Sequence, residues 1–223
     1  MPSKSSHRPK VAAVVAAFNE APRLGEVLRV LTTFGFDDVI VVDDGSTDDT
    51  VEMALRFPVQ VIIHPCNLGK GQAMNTGVNF SDAEIIFFCD ADVHGLTHET
   101  IAEIIEPVLS GRVDMMIGMR NRTIFVLRFI LRIIPLLGGE RALTREFWQK
   151  VPAKYKERFM IEAALNFYAY HSGKGYSYQV FPGLSQTVKE RKYGFIRGFV
   201  ARLGMAYDVL EAQVRLRWHI LFP

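Results

Sequence analysis

Asp90 and Asp92 stand one residue apart at the end of an apolar run, Ile85-Ile86-Phe87-Phe88-Cys89. Such a run reads as a buried strand. In open α/β sheets, ligands sit beyond the carboxyl ends of the strands. Two carboxylates at this spacing suit a hard divalent cation, Mg²⁺ or Mn²⁺, whose shell is completed by water and substrate phosphates. Taken alone, the pair also fits a turn or a helix cap. Three further polar clusters weigh for the first reading. Phe18-Asn19-Glu20 ends a Val/Ala run that starts at Lys10, and Asp43-Asp44-Gly45-Ser46-Thr47-Asp48 follows Val39-Ile40-Val41-Val42. Asn67-Leu68-Gly69-Lys70-Gly71 comes after the run from Val59 to Ile63. If the runs are parallel strands, all four clusters open on one edge of one sheet and line a single acidic crevice. Lys70 would stand in it as a point charge, or be a solvated lysine at the start of a helix.

The elements needed to hold those clusters are legible in the spacing. Leu24, Val27, Leu28 and Leu31 repeat as one face of a helix that Asn19-Glu20-Ala21-Pro22 opens, with proline in the first turn. A helix ending near Phe57, another from the glycine loop to about Phe80, and a third from about Thr97 to Leu109 alternate with the strands; Asp114–Gly118 is the next strand. Regular alternation of strand and helix implies parallel pairing, hence an α/β sandwich with a mostly parallel central sheet, helices on both faces and a helical acceptor-side C-terminal part. Beyond it the rhythm changes. Ile124–Leu137 is apolar except for Arg128 and Arg132, which share one helical face; Gly138-Gly139 breaks it. Leu143–Lys150 and Glu157–His171 read as helices and Gly175–Phe181 as a strand. Residues 194–218 read as an amphipathic helix with arginines on its polar side. Glu162 lies inside the apolar stretch Met160-Ile161-Glu162-Ala163-Ala164-Leu165. A glutamate there is costly without a partner. It therefore faces the crevice, either as a general base with a raised pKa or as the partner of an arginine.

The four clusters resemble the signature of the family 2 glycosyltransferases, over about residues 10–192. Asp43-Asp44-Gly45-Ser46-Thr47-Asp48 matches the family's Asp-Asp-Gly-Ser-x-Asp in full, and the Asn-x-Gly-Lys-Gly loop and the Asp-x-Asp match too. Ala16 and Phe18 stand where the family has proline and tyrosine, a loss of rigidity and of a hydroxyl. The resemblance implies a glycosyltransferase A-type fold with a Rossmann-like nucleotide-binding half. It implies a metal-dependent enzyme that moves a sugar, with inversion, from a UDP- or GDP-linked donor. Phe18, Glu20, Asp44 and Asp90 would contact base and ribose, beside Asp43, and Asp92 would hold the metal on the diphosphate, with Asp90 its neighbour. Gly138-Gly139-Glu140-Arg141 resembles the segment after the acceptor loop, which makes Glu140 a second candidate base or an acceptor binder; a helix cap is its structural alternative. Lys189, with Gln186, Arg191 and Lys192, lies where a late loop of the family closes over the diphosphate. Where some relatives supply a late histidine to the metal, this chain has Gln186 or Thr187.

Charge is divided unevenly. Residues 1–110 hold 7 Lys+Arg against 16 Asp+Glu, a net of −9; residues 111–223 hold 19 against 8, a net of +11. The acidic half suits a metal site. The basic half suits a phosphate-bearing or lipid-linked acceptor and contact with anionic lipid. An apolar content of 49% supports one folded domain over 1–223. Within it, 10–118 would be the donor half, 119–192 the acceptor half, and 193–223 a tail helix able to mediate a homodimer. Two cysteines without metal-ligand spacing fit a reduced, cytoplasmic protein, peripheral on the membrane's inner face. The polar N-terminus does not read as a signal peptide, and no apolar run reaches the roughly 20 residues of a membrane span. Nucleic acid is not among the expected partners. Two other classes remain consistent with these residues: a sugar nucleotidyltransferase, which would release pyrophosphate, and a non-catalytic nucleotide-binding module.

Overall fold

The structure is a computed structural model that describes residues 8–120, 138–157, 160–171, 173–186 and position 211. Its centre is a seven-stranded sheet in the order β3-β2-β1-β4-β7-β6-β8. The strands are β1 (Val11–Ala17), β2 (Asp38–Asp43), β3 (Gln60–Ile63), β4 (Ile85–Asp90), β6 (Met115–Arg120), β7 (Glu140–Thr144) and β8 (Tyr176–Phe181). β5 (Val93–His94) pairs antiparallel with β9 (Ser185–Gln186) outside it. The helices are α1 (Ala21–Phe34), α2 (Thr50–Ala54), α3 (Lys70–Phe80), α4 (His98–Leu109), α5 (Arg145–Lys150) and α6 (Met160–His171). The sheet steps outward from β1 through β2 to β3, then returns to the other side of β1 with β4. Between the ends of β1 and β4 lies the reversal of strand order where open α/β sheets bind ligands.

Side chains alternate across each strand, so β1 feeds two cores. Ala12 and Val14 pack with Ile86 and Phe88 against α3, α5 and α6. Val11, Ala13 and Val15 pack with Ile85 and Phe87 against α1 and α4. Leu24, Val27, Leu28 and Leu31 of α1 are all buried, as their spacing requires, and each contributes about 1.5–3 kcal/mol relative to an exposed position. α1 ends at Gly35, whose φ of 97° closes the helix in the left-handed conformation. α4 begins at Thr97, whose side-chain oxygen accepts from the Thr100 N–H at 3.2 Å.

Three expectations are corrected. Residues 140–144 form a strand, and the helix expected from Leu143 covers only Arg145–Lys150. The chain there fills the gap between β4 and β6 and is buried from Glu140 to Leu143. Completing both ladders satisfies backbone groups that a helix would leave orphaned. For the same reason Glu140 is no helix cap. The sheet is mostly parallel, as expected: β7 runs antiparallel to β4 and to β6, and the other contacts in the sheet are parallel. Finally, α2 stops at Ala54 rather than near Phe57. Lys189, Arg191, Lys192, the 124–137 stretch and, but for Glu211, the tail at 193–223 lie outside the described residues. Among the described residues no helix is long and apolar enough to cross a membrane.

Candidate functional site

β4 carries Ile86, Phe88 and Asp90 on the face covered by α3 and α6. That period of two aims Asp90 at the first residue of α3, Lys70, and at Glu162 of α6. The Lys70 ammonium donates to Asp90 Oδ1 at 2.8 Å and to Glu162 Oε1 at 2.6 Å. The other Asp90 oxygen accepts from Arg120, at the end of β6, at 2.7 Å. Arg120 also donates to Glu140, and Arg141 stands 3.9 Å from Glu162. Three carboxylates and three cations thus interlock beneath the crevice. Gly139 makes the arrangement possible, since a Cβ there would overlap the Asp90 carboxyl.

Burial alone would raise the pKa of the Asp90 and Glu162 carboxyls, but the adjacent cations outweigh it. Lys70 and Arg120 hold Asp90 well below the usual carboxylate range, and Lys70 and Arg141 hold Glu162 below it. The expected upward shift of Glu162 is therefore reversed: its apolar helix presents it to two cations rather than to a dry pocket. Burial also opposes the charge on Lys70, and Asp90 and Glu162 overcome it, so its pKa is raised. Glu140 behaves differently. It is fully buried, its Oε2 has no hydrogen-bond partner among the described residues, and burial raises its pKa against the pull of Arg120. Alternation along β7 explains the difference. Leu143 lies in the α6-side core and Ala142 in the α4-side core, so Arg141 faces α6 and Glu140 faces α4.

The remaining candidates frame the same sheet edge. Phe18 is half-buried just after β1. Glu20, at the head of α1, is 8% exposed; its carboxylate accepts from Arg23 at 3.2 Å and its N–H donates to Thr50 Oγ1 at 2.9 Å. Asn19 ties two loops together, accepting from the Thr47 N–H at 2.8 Å while its own N–H donates to Ser46 Oγ at 2.9 Å. Asp43 accepts from the Ser46 N–H through Oδ2 at 3.0 Å. Its Oδ1 is buried without a partner among the described residues, an acceptor awaiting a donor. Asp44 instead accepts from His64 Nδ1 and from the Leu68 and Gly69 N–H groups at 2.8–2.9 Å.

Spacing alone did not single out Arg120, Arg141 or His64. Arg120 had a signal of the same kind as Asp90, one charge at the end of an apolar run. Arg141 and His64 had none beyond proximity to the motifs.

A divalent cation fits this edge in one way. Both Asp90 oxygens already touch cations, and no group of three His, Cys, Asp or Glu residues that could hold a metal exists among the described residues. Asp92, in the turn after β4 and 8% exposed, is the candidate ligand that the family resemblance names. The rest of the shell would have to come with a substrate.

Residues 12–181 match the model of glycosyl transferase family 2. The mouse dolichyl-phosphate beta-glucosyltransferase is 38% identical over 119 residues, 45% of this chain and 36% of that protein. The UDP-N-acetylglucosamine–dolichyl-phosphate N-acetylglucosaminyltransferase of Methanococcus voltae is 27% identical over 127 residues, 48% of this chain and 50% of that one. The chain thus spans half or less of the length of these curated relatives. Among solved structures, glucosyl-3-phosphoglycerate synthase from Mycobacterium tuberculosis with Mn²⁺, UDP-glucose and glycerol 3-phosphate superposes with a TM-score of 0.75 at 19% identity, over 93% of this chain and 80% of that one. The same synthase with Mg²⁺ and UDP gives 0.76 at 17% identity, over 93% and 79%. At this identity the likeness establishes the fold.

Proposed function

The chain belongs to glycosyl transferase family 2, and we propose on that footing that it moves a sugar from a nucleoside-diphosphate donor to a phosphate-bearing or lipid-linked acceptor. The observation that carries this reading is the Lys70 bridge, one ammonium linking Asp90 at the switch point to Glu162 on α6. It joins the motif loops that would take the donor to the helix that would face the acceptor. UDP in the solved neighbours favours a uridine donor; glycerol 3-phosphate in one, and dolichyl phosphate in the names of two relatives, favour a phosphate on the acceptor.

Each residue then has a role that follows from its chemistry. Asp43 Oδ1 and the crevice beside Phe18 and Glu20 would receive base and ribose, and Asp90 would face the ribose. Asp92 would hold Mg²⁺ or Mn²⁺. When bound, the cation acts as a Lewis acid on the diphosphate, whose charge grows as the glycosidic bond breaks. Lys70 adds a fixed positive charge beside that growing negative one. Glu162, the more exposed of the two candidate bases, would accept the proton of an acceptor hydroxyl; a phosphate acceptor needs no strong base. Lys189, by the family resemblance, would meet a phosphate.

The test is incubation with UDP- and GDP-sugars, Mn²⁺ and either glycerol 3-phosphate or a polyprenyl phosphate. Release of nucleoside diphosphate with a new glycoside is expected; pyrophosphate release would instead identify a nucleotidyltransferase. Asp92→Ala should abolish Mn²⁺-dependent nucleotide binding while the melting temperature stays near wild type. Unchanged binding in that variant would remove Asp92 from the site.

A further inference from the structure

We propose that His64 is a positioning residue: by holding Asp44 it fixes the turn at Leu68-Gly69 and, through it, the Lys70 ammonium. The consequence for catalysis rests on the proposed sugar transfer; the positioning itself does not.

His64 is the first residue after β3, and its backbone N–H donates to the Asp43 carbonyl at 2.8 Å. This sets the ring beside Asp44, where it is 7% exposed. Nδ1 lies 2.8 Å from Asp44 Oδ1. Nε2 shares a hydrogen bond of 3.0 Å with Thr76 Oγ1, in the second turn of α3. The same Asp44 carboxylate receives the Leu68 N–H at 2.9 Å on Oδ1 and the Gly69 N–H at 2.8 Å on Oδ2. One imidazole therefore joins the ends of β2 and β3 to both the side of α3 and the turn that starts it.

That turn needs outside support. Gly69, the residue before the helix, has φ 95° and ψ 156°, a conformation closed to other residues. Gly69 has no side chain with which to cap α3. The Asp44 carboxylate is what the two N–H groups before Lys70 bond to, and an acceptor held from one side only would be free to rotate. Among the described residues, no hydrogen bond or ion pair of His64 or Asp44 reaches Lys70, Asp90 or Glu162. Any influence on the ammonium must pass through the backbone from Leu68 to Lys70. A helix start displaced by an ångström would separate Lys70 from Asp90 and Glu162, which it now touches at 2.8 and 2.6 Å.

His64→Leu removes both ring hydrogen bonds, whereas His64→Asn keeps a donor for Asp44 and drops the bond to Thr76. The first measurement needs no substrate. Lys70 is labelled with acetic anhydride in the folded protein and its modification quantified by peptide mass spectrometry. An ammonium locked between two carboxylates reacts slowly, so His64→Leu is expected to speed labelling of Lys70 several-fold, with His64→Asn, which keeps the bond to Asp44, between wild type and His64→Leu. Equal labelling in folded wild type and His64→Leu overturns the inference. Should His64→Leu not fold, Thr76→Val, which severs only the link to α3, takes its place with a smaller acceleration expected; no acceleration overturns the inference.

The second measurement is a double-mutant cycle on transfer. His64→Leu is expected to lower kcat about tenfold, and to lower it little further in a Lys70→Met background. Additive losses would mean that His64 acts on something other than Lys70, and overturn the inference. Faster labelling of Lys70 in His64→Leu, together with a wild type that transfers no sugar, would leave the positioning role intact and dispose of the transfer reading instead.

Discussion

Lys70 has three N–H donors and points two of them at buried carboxylates. Asp90 and Glu162 titrate below their ordinary values, so their pairing contributes stability that is complete above the unfolded values and lost as pH falls through the folded ones. Lys70→Met keeps the stem and removes the charge. Breaking a buried pair costs roughly 3–5 kcal/mol; because each carboxylate keeps an arginine, about 3 is expected near pH 7. The gap to wild type should narrow toward pH 3, as the variant's carboxylates take up protons earlier. Denaturant melts across that interval check it, and a pH-independent gap would deny Lys70 an ionic role. Glu162 and Glu140 separate by the same reasoning. Glu162→Gln removes a carboxylate at the crevice and should lower turnover by tenfold or more. Glu140→Gln removes one on the α4 side whose charge burial already disfavours, and should cost less. Steady-state kinetics of the two variants decide the order, and the reverse order would make Glu140 the base.

The elements bring these residues together because the turn chemistry fits the sheet. α3 is the clearest instance. Gly71 lets its first turn pass the Lys156 carbonyl, and Gly77 lets it lie on β1 and β2, where a Cβ would overlap Val14 and press on Val42. Gly77→Ala should therefore lift the helix that starts with Lys70. Overpacking costs about 1–3 kcal/mol, of which the better helix propensity of alanine offsets up to about 1. A net loss near 1 kcal/mol would lower the melting temperature by roughly 2–4 °C. Nucleotide affinity should fall with it, and calorimetry reads both; a variant at least as stable as wild type would show that α3 is not seated this closely. β7 is the element that spacing misread. Leu143 and Phe147 fit a helical face as well as alternation, and local pattern does not distinguish a short buried strand from a helix end. The decision lay in the empty place between β4 and β6, which only the assembled sheet contains.

For the whole molecule, the division of charge remains the feature with the longest reach. The second half carries a net of +11, and each basic residue near an anionic surface is worth about 1 kcal/mol. Flotation with vesicles containing phosphatidylserine is expected to carry the protein at low salt and release it at high salt. Protein that stays unbound at low salt would detach the lipid-linked acceptor from its charge argument. Local pattern was enough for the class of fold and for the sheet edge where the four polar clusters meet. Strand runs, helix faces and the four polar clusters are local patterns, and local patterns survive without knowledge of partners. Which carboxylate meets which cation was decided only by tertiary structure. Arg120 and Glu162 come from the second half of the chain to meet Asp90 and Lys70 of the first, and Asp44 turns to His64 while Asp43 keeps an oxygen without a partner among the described residues. Those pairings rest on strand order and on which side of the sheet each residue faces, and a reversal of either would rearrange every charge in the site.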